Sequence, residues 1–389
     1  MGDPLFAQGI DLAVLLIVAA KVLVTFVFLL VAVLMMVWFE RKVISDMQSR
    51  IGPDRAGPWG ILQTLADGTK LFFKEDLLPE RADRRVFRLA PYLSAVPAFA
   101  AFAVVPVGGT ISVFGHKTYL QLADPPVGVL FLLAMSSIAV YGVMLAGWSS
   151  GSKYPLLGAV RASAQMVSYE AAMGLSVAAV VLAAASLSTH DIVSAQATWR
   201  WNFVVLGGVP FIVYLIAATA ETNRPPFDLV EAEQELVGGF HTEYAGIRFA
   251  LFFLAEFMNT ITVSAVAVTL FFGGPNGPHI SFLPTLWPIV WFFSKLLVFL
   301  FTYVWLRATL PRFRYDQLMD LGWKVLIPAS LFWLLFIAAL RVGRDRGWSV
   351  VAVMAVSIGV GMAVYAILNA ALAVGRTQTE ADDAWEVSA

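Results

Sequence analysis

Apolar residues along this chain gather into nine long runs, separated by charged or turn-rich stretches. A membrane-spanning helix needs about 20 mostly apolar residues. The runs near 12–38, 87–107, 127–148, 160–186, 202–220, 248–272, 284–306, 322–342 and 348–374 supply that length. The second holds Pro91, Pro97 and Pro106, so its helix is expected to kink or break. The first exceeds the apolar core of about 7–15 residues in a secretory signal and lacks a basic flank, so no cleavable leader is expected. The pattern predicts an all-α polytopic membrane protein with about nine transmembrane helices. No internal repeat is visible, which weighs against transporter folds built on inverted repeats.

The stretch 39–86 breaks the pattern. Gly52, Pro53, Gly57, Pro58 and Gly60 mark tight turns. After them, Ile61, Leu62, Leu65, Leu71, Phe72 and Phe73 interleave with Asp67, Lys70, Lys74 and Glu75. An amphipathic helix of about 15 residues is too short to span, so it is expected in the membrane interface or under a partner. The stretch also carries Arg41, Lys42, Arg50, Arg55, Lys70, Lys74, Arg81, Arg84 and Arg85. Lys and Arg collect on the cytoplasmic side. That places 39–86 in the cytoplasm and the N-terminus outside. Arg341, Arg344 and Arg346 then fall outside, against the rule, and the early helices decide the assignment.

Composition changes the class of protein. The 389 residues would suggest two or three soluble domains, but they are 59% hydrophobic and only 14% charged. A soluble domain is about 25% charged. With no cysteine, disulfides, thiolate metal sites and iron–sulfur ligation by this chain are excluded. His116, His190, His241 and His279 are too scattered to suggest a metal site. A net charge of −1 gives no sign of nucleic-acid binding.

Against that near-neutral total, 221–256 stands out. It holds Glu221, Asp228, Glu231, Glu233, Glu235, Glu243 and Glu256 against Arg224 and Arg248, a net −5. Glu231, Glu233 and Glu235 face one way if extended; Glu231 and Glu235 share a face if helical. Close carboxylates titrate as a coupled set and can relay protons. The plainer reading is a solvated acidic loop, against which stand Pro225, Pro226, Phe227 and Leu236, marks of a packed segment.

Glu170 lies about ten residues into the fourth run, roughly 15 Å deep. Glu256 lies roughly 12 Å along the sixth. A charged acid at mid-bilayer costs on the order of 2.5–3.5 kcal/mol, so each should be protonated, paired or facing water. A structural role would pair Glu170 with Arg161; a functional role is the default for intramembrane ionisable groups. Glu221 closes the fifth run, where an acid opposes the helix dipole and Arg224 is its expected partner. Lys21 reads as snorkelling or ion-paired, and Lys295 as a partner for Glu170 or Glu256. Arg307, Arg312 and Arg314 with Asp316 form a charged cap that positive-inside topology would also produce. Phe249, Phe252 and Phe253 share a helix face, as a packing stripe or as the wall of a slot for a lipid-like molecule.

Four stretches then carry a resemblance: ERKVISDMQSRIGPDRAGPWGILQTLADGTKLFFKE (40–75), GWSSGSKYPLLGAVRASAQMVSYE (147–170), AETNRPPFDLVEAEQELVGGFHTEYAGIRFALFFLAE (220–256) and RATLPRFRYDQLMDLGWKVLIP (307–328). In this order they resemble the H-subunit family of the proton-pumping NADH:quinone oxidoreductase, respiratory complex I. The resemblance implies a subunit of the bacterial cell membrane at the heel of an L-shaped complex. Its partners would be the peripheral quinone-reducing module, antiporter-like membrane subunits and membrane lipids. The substrate would be ubiquinone or menaquinone. FMN and iron–sulfur clusters would sit in partner subunits, with no metal or cofactor held by this chain. By the same resemblance, the quinone chamber would use Arg41, Arg50, Asp67, Lys70, Phe249, Phe252, Phe253 and Arg307. Proton coupling would use Glu170, Glu221, Asp228, Glu231, Glu233, Glu235 and Glu256, with Arg224 as charge partner.

The family core is expected over 1–342, with an added helix over 343–374 and an acidic cytoplasmic tail over 375–389. The third helix carries no carboxylate, so an acid relay must bypass it or use water, Ser136, Ser137 or Tyr141. Membrane-bound hydrogenases contain relatives of this subunit. A stand-alone proton or cation transporter would also explain buried acids, but not the interfacial helix or the large charged loops. A purely structural anchor would leave Glu170 and Glu256 unexplained.

Overall fold

The computed structural model describes residues 3–6, 9, 11–197, 200–228, 237–278, 284–363 and 366. They divide into two compact units, Met1–Ile327 and Pro328–Ala389. Among the described residues, six helices are long and apolar enough to cross a membrane, and two shorter apolar helices accompany them. The chain is an all-α polytopic membrane protein.

The apolar runs become helices because a backbone in lipid must satisfy its own polar groups. Helix α1 (Leu12–Met47) starts at Asp11, whose carboxylate accepts the Val14 N–H at 3.0 Å. It continues past the apolar run and carries Glu40, Arg41 and Lys42 beyond it. Helix α2 (Gln63–Phe73) is the expected short amphipathic helix, with Leu65, Phe72 and Phe73 exposed. Helix α3 (Arg84–Phe102) runs unbroken through Pro91 and Pro97 and stops before Pro106. Three arginines near its start, Arg84, Arg85 and Arg88, make it less apolar than the six long spans.

Between α3 and α4 (Gly128–Ser149) lies a hairpin that the apolar pattern did not announce. Strands β1 (Thr110–Val113) and β2 (His116–Tyr119) pair antiparallel. Phe114 and Gly115, both at positive φ, make the tight turn. Lys21 ties this hairpin to the start of the chain. Its ammonium pairs with Asp3 at 2.9 Å and donates to Thr118 Oγ1 at 2.6 Å and the Gln121 carbonyl at 3.0 Å.

Helix α5 (Lys153–Ala184) packs against α4, and α4 against α3. Their contacts are lined by Ala90, Ala146, Ala159 and Ala162, small residues that let helices approach closely in a membrane. At Gly142 a Cβ would lie 2.7 Å from the Ser94 backbone nitrogen, so no larger residue fits. The short helices α6 (Thr189–Ala195) and α7 (Asn202–Val205) follow. The expected fifth span is thus divided: Gly207 and Gly208, both at positive φ, separate α7 from α8 (Val209–Glu221). Helices α9 (Gly246–Phe271), α10 (Trp287–Thr309) and α11 (Tyr315–Asp320) follow, and a π-helical stretch Leu321–Leu326 leads into α12 (Ile327–Asp345). In the second unit, α13 (Val350–Ala363) returns towards α12, with Phe332 against Gly361. The rest of the expected ninth span and the acidic tail lie outside the described residues.

Candidate functional site

The turn after α8 brings the charged groups together. Gln165 of α5, 1% exposed, donates through its side-chain amide to the Ala220 carbonyl at 2.7 Å and the Phe227 carbonyl at 3.0 Å. That grip holds 221–227 against α5 and points Arg224 inward. Arg224 is 4% exposed, and Glu40 at the end of α1 is 5% exposed. Arg224 Nη1 meets Glu40 Oε2 at 2.9 Å, and its Nε lies 3.2 Å from Glu256 Oε1 on α9. Its guanidinium also covers the Phe257 ring at 4.2 Å. Arg307, in the last turn of α10, pairs with the other oxygen of Glu40. The result is a continuous alternation, Arg307–Glu40–Arg224–Glu256, across α1, α9, α10 and the turn after α8. Buried charges are tolerated only when compensated in this way.

This network lines a cavity of about 550 Å³. Arg41 and Arg50 also line it, and Phe253 and Phe257 give it an apolar wall. Four arginines face two glutamates there, so the cavity favours a ligand whose polar end is electron-rich. Arg41 is held by Asp67 of α2 at 2.7 Å, which joins the interfacial helix to the cavity rim. Lys70 is exposed on α2 and lines neither of the two polar cavities.

Glu256 lines a second, smaller cavity of about 40 Å³ as well. Glu221, Asn223, His241, Phe249, Phe252 and Phe253 share it. A space of this size holds one to a few waters, since about 10–15 Å³ admits one. Beyond it, Glu221 accepts a hydrogen bond from the Ser136 hydroxyl, and Glu170 accepts one from Ser137. Among the described residues no cation pairs with Glu221 or Glu170. Asp228 is bound by Arg312 at 3.0 Å. Glu231, Glu233 and Glu235 lie outside the described residues.

Several expected pairings are replaced by others. Arg224 engages Glu40 and Glu256, not Glu221. Glu170 is bonded to Ser137, while Arg161 covers the Tyr315 ring at 5.5 Å. Lys295 meets no intramembrane acid: it donates to the carbonyls of Phe272, Gly274 and Asn276 at 2.8, 2.9 and 2.6 Å, at the end of α9. Lys21 is ion-paired, through Asp3. Sequence reasoning misses Glu40 as a site residue. Its signal is an acid directly before Arg41 and Lys42 at a span's end, which reads as ordinary interfacial charge.

A family model described as NADH dehydrogenase matches residues 20–338. The H subunit of NADH-quinone oxidoreductase from Frankia casuarinae is 57% identical over 326 residues, covering 83% of this chain and 72% of that protein. The protein of the same name from Frankia alni is 58% identical over 326 residues, with the same 83% and 72% coverage. The match of the family model along most of the chain, with relatives this similar, shows that the chain belongs to the NADH dehydrogenase family.

Proposed function

We propose that this chain is the membrane-arm subunit of a proton-translocating NADH:quinone oxidoreductase, forming part of the quinone chamber and coupling quinone reduction to proton pumping. The observation that carries the reading is Glu256, which lines both the arginine-rich cavity and the small cavity shared with Glu221. A quinone ring enters the larger cavity from the bilayer, with Arg41, Arg50 and Arg307 set for its carbonyl oxygens and Phe253 against its apolar face. Asp67 positions Arg41, and Lys70 stands on the exposed side of the same interfacial helix. Phe249 and Phe252, expected in the chamber, line the small cavity instead. Reduction takes place against the peripheral partner subunits, which hold the FMN and the iron–sulfur clusters.

A charge change at the inner end of the chamber alters the balance of Arg307, Glu40, Arg224 and Glu256. Glu256 passes it through the small cavity to Glu221 and then Glu170, towards the antiporter-like partners. Asp228, Glu231, Glu233 and Glu235 belong to the acidic stretch that responds. Moving one charge across 100 mV takes about 2.3 kcal/mol, so the coupling must be a compact electrostatic chain. The N-terminus faces outward, and the charged loops 39–86 and 221–248 face the cytoplasm of a bacterial cell.

The test is a native gel of mildly solubilised membranes, probed for this chain and stained for NADH dehydrogenase activity. Co-migration in a very large NADH-active complex is expected. Migration alone, or with a hydrogenase and no NADH activity, would rule the reading out.

A further inference from the structure

Helix α4 carries no carboxylate, yet it stands between two of them. Ser136 and Ser137 are consecutive, so on an α-helix they point about 100° apart. That divergence sends one hydroxyl to Glu221, at the end of α8, and the other to Glu170, within α5. The second oxygen of Glu221 is buried without a hydrogen-bond partner among the described residues, and its side chain lines the small cavity reached by Glu256.

The Ser137 hydroxyl has two acceptors in range, Glu170 and the Leu133 carbonyl, the latter at 3.1 Å. A hydroxyl has one proton to donate and lone pairs to accept with. When Glu170 is ionised, Ser137 can donate to it. When Glu170 is protonated, the hydroxyl can turn, donate to the Leu133 carbonyl and accept a hydrogen bond from the carboxyl O–H. The carboxylate is therefore held in both charge states without an arginine, which would compensate only one. Ser136 donates to Glu221, and its hydroxyl lone pairs can accept from the protonated form.

Resting on the proposed coupling role, we propose that Ser136 and Ser137 are positioning residues that hold Glu221 and Glu170 in both their protonated and ionised forms. They thereby keep the acid chain continuous past a helix that contributes no acid.

The experiment uses the assembled complex in its native membranes. Ser136→Ala, Ser137→Ala and the double variant are compared with the corresponding Thr variants and with Glu170→Gln and Glu221→Gln. Three readouts are taken: NADH oxidation with an artificial acceptor, protons moved per electron pair with quinone, and the carboxylic C=O band in redox-induced infrared difference spectra. The double Ala variant is expected to keep artificial-acceptor activity and lose about tenfold in quinone-linked pumping rate, the scale of losing hydrogen bonds to charged groups. Its carboxylic band should shift, and the Thr pair should restore pumping to within about twofold, because the hydroxyl is kept.

Wild-type pumping and an unshifted band in the Ala variants, with pumping lost in the Glu→Gln variants, would overturn the serine role and leave the acid relay standing. Undiminished pumping in Glu170→Gln and Glu221→Gln would instead remove the coupling role itself. If the double variant fails to assemble, the single and Thr variants decide: Thr variants as defective as the Ala variants would show that the hydroxyl is not what matters.

Discussion

Two groups of acids, Glu40 and Glu221 buried and Glu170 and Glu256 half-buried, sit on either side of the small cavity, and they are built differently. On the chamber side, Glu40 and Glu256 are gripped by Arg224 and Arg307. On the inner side, Glu221 and Glu170 are bound by serine hydroxyls, with no cation on either among the described residues. An acid between arginines has its charge compensated in place, and moving a proton there would leave an arginine unpaired. An acid held by a hydroxyl can gain or lose a proton while keeping its hydrogen bond. The first group is suited to sensing charge in the chamber, and the second to carrying a proton away from it.

The largest effect is expected where removal of one side chain strands two others. Arg224→Ala would leave Glu40 and Glu256 short of their shared partner, and breaking a buried pair costs about 3–5 kcal/mol. Native gels and thermal denaturation of the membranes should show a poorly assembled or heat-labile complex. Full assembly with unchanged thermal stability would mean the arginine is not the keystone of the chamber-side group. Arg224→Lys should recover only part of the loss, since an ammonium cannot reproduce the two-directional grip and the ring contact.

The inner group should respond in activity, not in assembly. Glu170→Gln and Glu221→Gln keep a hydrogen-bonding partner for serine, so the complex should form normally. Inhibitor-sensitive NADH:quinone activity should fall by about tenfold or more, as for loss of a group that handles protons in the rate-limiting path. Stability losses equal to those of Arg224→Ala would erase the contrast between the two groups.

How far the sequence could foretell this contrast depends on the level asked about. The spans were legible because lipid forces long apolar runs into helices, and α1, α4, α5, α9 and α10 fall where those runs do. The break before α8 was hidden, since Gly207 and Gly208 sit inside an apolar run. The β1–β2 hairpin was hidden too, because ten residues around Gly115 carry no long-range apolar pattern. Glu170, Glu221, Glu256 and Arg224 were conspicuous because charge inside an apolar run is costly. Their partners were not, because contacts between helices are set by packing that local spacing does not encode. Glu40, beside Arg41 and Lys42, looked interfacial until α9 and α10 closed over it. Ser136 and Ser137 were visible only as the polar groups α4 had to offer.

A smaller effect separates the chamber's lining from its frame. Arg41 and Asp67 are partly exposed, and such pairs contribute about 0–1 kcal/mol to stability. Arg41→Ala should therefore leave assembly intact while raising the apparent KM for quinone severalfold in membrane assays. An unchanged KM would remove Arg41 from the chamber.

The smallest effect belongs to the third charged group, Asp3 with Lys21, near the opposite end of α1 from Glu40. Burial works against the ionised Asp3, but the Leu5 amide, Lys21 and Thr118 outweigh it and hold its pKa below the ordinary carboxylate value. Folding therefore favours the carboxylate, and the gain is complete above the unfolded-state pKa. It is lost as pH falls through the lowered folded value. The Tm of wild type should exceed that of Asp3→Asn at neutral pH, by the equivalent of up to about 1 kcal/mol, and the difference should vanish on acidification. A difference that persists in acid would assign the effect to packing instead.

The most direct measurement is NADH-driven proton uptake by inverted membrane vesicles carrying Glu256→Gln, the residue shared by both cavities. Because Arg224 keeps its buried partner Glu40 and Glu256 is only half-buried, the account predicts an assembled complex with normal NADH oxidation by an artificial acceptor and strongly reduced quinone-linked proton uptake. Wild-type proton uptake in that variant would contradict it.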